Sequence, residues 1–197
     1  DSLPSRGLGD VYKRQDDDLV VVWKPSGMLS VPAGKAGGHL NALGLVSKLM
    51  RSPALVVHRI DQGTSGLMMM MARNEAAQQH LKDQLERHSV ERRYIALVHG
   101  RPPESAWTVS NHLVDDRGDG LRGSVDGQRP RHAKHAKTRF HHLERLDKHI
   151  NLVEAHLHTG RTHQVRIHLA EGGTPILGDE RYGCLLYTSP SPRDGRE

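Results

Sequence analysis

Cysteine is almost absent: Cys184 stands alone in 197 residues. One thiol excludes an internal disulfide framework and any Cys-based zinc site, and it fits a reducing cytoplasm. Aromatic residues are few, at 4 %. No apolar run approaches the roughly 20 residues that a membrane-spanning helix needs, so a cytoplasmic protein without a membrane partner is expected. Excess charge of one sign is also modest. The net charge of +5 and a pI near 9.6 favour an acidic partner such as nucleic acid without specifying one.

Length suggests one domain with a sizeable core. Residues 1–15 and 184–197 have no amphipathic period and read as non-native sequence at the two ends, leaving 16–183 as the expected domain. The basic balance persists without those ends.

Short elements are legible within that span. Leu19 to Trp23 is an apolar, β-branched run that ends at Lys24-Pro25-Ser26-Gly27, a strand entering a turn. His39 to Met50 follows the glycine-rich loop Gly34 to Gly38 and carries apolar residues at helical spacing. Leu67 to Met71 reads as a strand. Asn74 is a candidate N-cap for a helix over Glu75 to His88, with Ala77, Leu81 and Leu85 as its stripe. Tyr94 to Val98 returns to strand. Arg101 to Lys137 is polar and poorly periodic, and predicts short strands on long loops. Asn151 to His158 alternates, with Val153, Ala155 and Leu157 on one face. A helix starts near Thr162 and stops at Gly172-Gly173. Strands and helices interleave without a regular βαβ repeat, which predicts an α+β domain with a mixed or antiparallel sheet.

The most informative stretch is His58-Arg59-Ile60-Asp61-Gln62-Gly63-Thr64-Ser65-Gly66. It sets an Arg and a carboxylate two residues apart on a turn that leads directly into a strand, where chemistry commonly sits. Taken alone, Asp61 also fits a turn or capping Asp. HRIDQGTSG resembles the HRLDxxTSG signature of the RluA family of RNA pseudouridine synthases. Four further segments are similar to that family in the expected order: Trp23 to Pro32, Arg93 to Gly100, Thr159 to His168 and Pro175 to Gly183.

The resemblance implies a pseudouridine synthase catalytic fold, with a bent sheet and a central active-site cleft. It implies Asp61 as nucleophile, with Arg166 as the cation that keeps it ionised. It implies Tyr94 stacking on the target base and handling the proton of ring carbon five, and Arg59 filling the space left by a flipped uridine. His58, Thr64, Arg161, His163, Gln164 and Lys24 are implied around the substrate, with a supporting role in the catalytic loop equally open for Lys24. The implied partner is structured ribosomal or transfer RNA, handled by a monomer without cofactor or metal. A non-catalytic RNA-binding relative, or an inactive fragment, is the alternative.

Other chemistries fit less well. His158, His163 and His168 are five residues apart, about 140° off one helical face, whereas paired helical ligands want i, i+4. His58 to Asp61 lacks the Asn and the Asp-Phe-Gly of a kinase loop. Gly34 to Gly38 lacks the Ser or Thr of a phosphate-binding loop. Arg129, Arg131, Lys134, Lys137 and Arg139 form the densest basic run, which fits either RNA phosphates or a solvated loop.

Overall fold

In the computed structural model, residues 12–32, 40–71, 74–125 and 130–183 are described. The expectations for 1–11, 184–197, the Gly34 to Gly38 loop and Arg129 lie outside them. The fold divides the chain into two compact units, Asp1–Val90 and Glu91–Glu197.

The first unit is a four-stranded sheet in the order β1-β2-β4-β3, antiparallel throughout. Its elements are β1 (Tyr12–Gln15), β2 (Leu19–Lys24), α1 (Ala42–Met50), β3 (Leu55–Val56), β4 (Gly66–Met71) and α2 (Glu75–Glu86). Tyr12–Gln15, inside the stretch read as foreign to the fold, add an edge strand to β2. Val20, Val22 and Lys24 are fully buried on alternate positions of β2, so its face toward the core ends in a charge. The helix expected from His39 begins at Ala42, because Asn41 takes the N-cap and accepts from the Gly44 N–H. Asn74 caps α2 as its sequence suggests, accepting from Ala76 and Ala77.

The second unit holds β5 (Arg93–His99), β6 (Ala106–Val114), β7 (Gly123–Ser124), β8 (Lys134–Arg145), β9 (Ile150–Leu157) and α3 (Gln164–Glu171). Its sheet runs β5-β9-β8-β6-β7, again antiparallel. Between Arg101 and Lys137, β7 is one of the short strands expected, whereas β6 and the start of β8 belong to long ones. β6 spans 9 residues and β8 spans 12. Ala96, Val98, Phe140, Val153, Ala155 and Leu169 form the core between the sheet and α3, and Trp107 stacks on Phe140 at 5.1 Å. Burial of each large aliphatic or aromatic side chain contributes about 1.5–3 kcal/mol. Beyond α3 the chain returns to β5. Val98 bridges Ile176, the His99 N–H donates to Pro175 O, and the Leu177 N–H donates to Leu97 O. Gly100 allows this approach, since a Cβ there would meet the Gly173 carbonyl oxygen at 2.9 Å.

His168 ties α3 to the sheet. It is 1 % exposed, with Nδ1 at 3.0 Å from Thr138 Oγ1 and Nε2 at 3.0 Å from Asn111 Oδ1. Burial lowers its pKa from the ordinary 6.5 to about 4. Below pH 6.5 the unfolded chain takes up a proton that the folded imidazole refuses. Stability is therefore complete above pH 6.5 and falls as the pH drops toward 4, by about 3 kcal/mol over the window. Urea unfolding followed at several pH values checks this, and His168→Asn flattens the dependence in that range.

Candidate active site

Asp61 follows the buried Ile60 on the loop between β3 and β4, and a second loop, Pro25 to Ser30, grips its neighbours. Lys24 is fully buried, and its ammonium donates to three carbonyls: Pro25 O at 3.0 Å, Met28 O at 2.7 Å and Gln62 O at 3.0 Å. An ammonium has three N–H donors. All three are spent, and one of them crosses to the residue beside Asp61. Ser30 adds a second clamp, its Oγ donating to Ile60 O at 2.6 Å and accepting from Ile60 N at 3.2 Å. Ser26 Oγ donates to Gly63 O, Gln62 Nε2 donates to Gly27 O, and Gly27 N donates back to Gln62 O. Gly27 holds φ at +83°, a conformation that glycine adopts without strain.

Within that clamp the Asp61 carbonyl accepts from the Thr64 N–H at 3.0 Å, which closes a tight turn. The backbone that carries Asp61 is thereby set from both flanks. Burial lowers the Lys24 pKa, and the negative charge of Asp61 partly offsets the drop. Within this unit, then, Lys24 is a cation that senses the Asp61 carboxylate. Arg59 is exposed, while His58 and Thr64 are half-buried. Of the two roles open to Lys24, its burial and its saturation by carbonyls fit support of the loop.

The second unit carries the remaining residues. Tyr94 lies on β5 and packs against the core that α3 covers. Arg166 grips the carboxylate of Asp179 bidentately. Nε donates to Oδ2 at 2.7 Å and Nη2 to Oδ1 at 2.8 Å, the fork-to-fork geometry that makes such pairs strong. Asp179 Oδ1 also accepts from the N–H groups of Arg181 and Tyr182. Burial alone pushes the Asp179 carboxyl up. The hydrogen bonds and charge of Arg166, with those two N–H groups, outweigh it and hold the pKa below the usual carboxylate range. The Arg166 guanidinium carbon lies 4.9 Å from the centre of the Tyr182 ring, and Tyr182 Oη is 2.8 Å from His163 Nδ1.

His163 sits at the start of α3 with φ at 58°, the left-handed region that few side chains adopt. Gln164, expected at the substrate, is 2 % exposed and used up inside the fold. Its Oε1 accepts from Thr159 Oγ1 and from the Arg161 N–H, while its Nε2 donates to Lys137 O and Thr138 Oγ1. Arg161 is exposed and donates through Nε to His135 O. Gly160 leaves room for Arg92, whose Nη1 a Cβ would strike. The sequence does not mark Asp179 and Tyr182 as site residues. Their signal was present in the similarity of Pro175 to Gly183 to a family segment, but nothing in that segment says which charge Asp179 meets. Among the described residues no group of three or more His, Cys, Asp and Glu is placed to hold a metal ion, and no helix is long and apolar enough to cross a membrane.

Comparison with known proteins supplies a family for this geometry. Residues 18–171 match the family described as RNA pseudouridylate synthase. An RNA pseudouridine synthase of Bacillus subtilis is 39 % identical over 183 residues, covering 88 % of this chain and 57 % of that protein. The ribosomal large subunit pseudouridine synthase D of Xylella fastidiosa is 39 % identical over 181 residues, covering 87 % and 51 %. This chain thus spans about half the length of those relatives. Among solved structures, human RNA pseudouridylate synthase domain containing 4 superposes with a TM-score of 0.74 at 28 % identity, covering 91 % of this chain and 71 % of that one.

Proposed function

Because this chain belongs to the RNA pseudouridylate synthase family, we propose that it isomerises uridine to pseudouridine in structured ribosomal or transfer RNA, as a cytoplasmic monomer of the RluA type. The observation that carries this reading is the clamp on the Asp61 loop. A buried ammonium and two serines hold the backbone on both sides of one carboxylate, which suits a nucleophile that must meet a fixed reacting carbon.

The reaction breaks the bond between the ribose anomeric carbon and ring nitrogen one, turns the base, and joins the same carbon to ring carbon five. Carbon five gives up a proton and nitrogen one gains one, so the change is an isomerisation. Asp61 promotes departure of the base. Tyr94 stacks on the turned ring and accepts the proton from carbon five. Arg166, held in one orientation by Asp179 and Tyr182, contributes positive charge that favours an ionised nucleophile. Arg59 is exposed and long enough to fill the gap that a flipped base leaves in the stack, offsetting a few kcal/mol of unstacking. His58, Thr64, Arg161 and His163 border the substrate.

The ribosomal assignment leans on relatives such as the Xylella fastidiosa protein, whose description names the large ribosomal subunit. RNA labelled with tritium at carbon five of uridine tests the reading. The full chain releases tritium to water in proportion to pseudouridine formed. Absence of release from the folded protein sinks the enzyme reading and leaves a non-catalytic RNA-binding relative.

A further inference from the structure

Helix α3 covers one face of the sheet of the second unit. On the other, β8 turns outward His135, Lys137 and Arg139, while Ala136, Thr138 and Phe140 between them are buried. Directly opposite on β6 stand the partners Thr108 to Arg139 and Ser110 to Lys137. The face therefore repeats one unit twice: a cation with a hydroxyl across from it. Directly opposed positions place the two groups within mutual reach, and the repeat is two residues along the strand, about 6.7 Å.

Charge separates these two cations from their surroundings. Arg93 pairs with Glu91 at 2.8 Å and His156 with Glu154 at 2.7 Å. Lys137 and Arg139 are both exposed, and among the described residues neither pairs with a carboxylate. Ser110 Oγ is itself fixed by His135 Nε2 at 3.0 Å. Exposed cations with adjacent hydroxyls are the groups that meet phosphate oxygens, which position a nucleic acid without reading its bases.

We propose that this face is a docking track for the phosphate backbone of a base-paired RNA stem, with Lys137 and Arg139 each neutralising one phosphate. The proposal rests on the RNA reading above and adds a surface to it. A stem is favoured over a single strand because, among the described residues, the face carries no Phe, Tyr or Trp, and its histidine rings lie against one another, His112 with His135 and His141 with His156. Tyr94, Trp107 and Phe140 lie on the opposite, α3-covered side of the sheet, and among the described residues no Phe, Tyr or Trp points outward from this one. Single-strand binders rely on such rings, whereas duplex RNA is held through shape and phosphates. The track is bounded on β5 by Ile95 and Leu97, which are apolar and exposed.

The test measures binding of the full chain to a labelled RNA hairpin at salt concentrations from roughly 50 to 200 mM, alongside tritium release at saturating substrate RNA. Lys137→Gln/Arg139→Gln is expected to lower the slope of log affinity against log salt by about 2, one for each phosphate that is no longer neutralised. Its tritium release at saturation stays at the wild-type level. Both positions are exposed, so folding is not at stake. An unchanged slope overturns the track, even if tritium release proves the enzyme reading right. A reduced slope with no tritium release by the wild type leaves the track standing and removes the enzyme. An equal loss of affinity on a uridine homopolymer, which forms no stem, overturns the choice of a stem.

Discussion

Replacing Asp61 with Asn is expected to abolish tritium release, by about four orders of magnitude or more, the scale on which removal of a reacting group usually acts. The amide matches the carboxylate in shape but carries no charge to stabilise the sugar as the base departs. The fold should survive, because the turn uses the Asp61 backbone carbonyl and the Lys24 clamp uses carbonyls of Pro25, Met28 and Gln62. A second readout is independent of turnover. The Asp61 charge raises the Lys24 pKa against the larger lowering by burial. Without it, Lys24 titrates lower still, which chemical-shift titration of the lysine side chain detects. Undiminished turnover in the Asn variant would remove Asp61 from its role.

The second large effect belongs to Lys24→Met. Methionine keeps the length and loses every donor, so three carbonyls facing a fully buried position lose their ammonium. Hydrogen bonds from a charged donor are worth about 1.5–3 kcal/mol each, and orphaned buried carbonyls add their own cost. Gln62 O keeps one partner in the Gly27 N–H, so the total is set at about 3 kcal/mol or more. Urea unfolding of the first unit measures it. Turnover should fall with it, while the salt slope of RNA binding in the second unit stays unchanged. Lys24→Arg is not expected to rescue, since a planar fork cannot address three carbonyls arranged around a point charge. A Met variant as stable and active as the wild type would show that the clamp does not hold the loop.

Much of this fold can be read from local chemistry, and the exceptions share a cause. Asn74 caps α2 and Gly172 ends α3 because caps satisfy backbone groups a few residues away. β9 is legible because Val153 and Ala155 alternate with Glu154 and His156. β8 is harder: its inward residues include Ala136 and Thr138, which carry little hydrophobic contrast against Lys137 and Arg139. The site divides in the same way. The residue types around Asp61 mark a reactive loop, but burial of Lys24 depends on a carbonyl 38 residues later. The saturation of Gln164 likewise depends on β8, 26 and 27 residues earlier. Asp179 reaches Arg166 across 13 residues, a turn and the end of a helix. Polar burial is a property of two segments together, and neither announces it alone.

The return of the chain to β5 matters beyond the site. β5 is the last strand of its sheet, and an open edge of that kind is a template on which a second chain can add a strand and begin to aggregate. Pro175 to Leu177 occupy that edge from within, taking the His99 donor and the Leu97 acceptor. Pro175 itself has no N–H to offer a newcomer. The stretch that follows α3 thus covers part of the β5 edge, and the segment that orients Arg166 through Asp179 is the same one that takes up backbone groups an added strand would need.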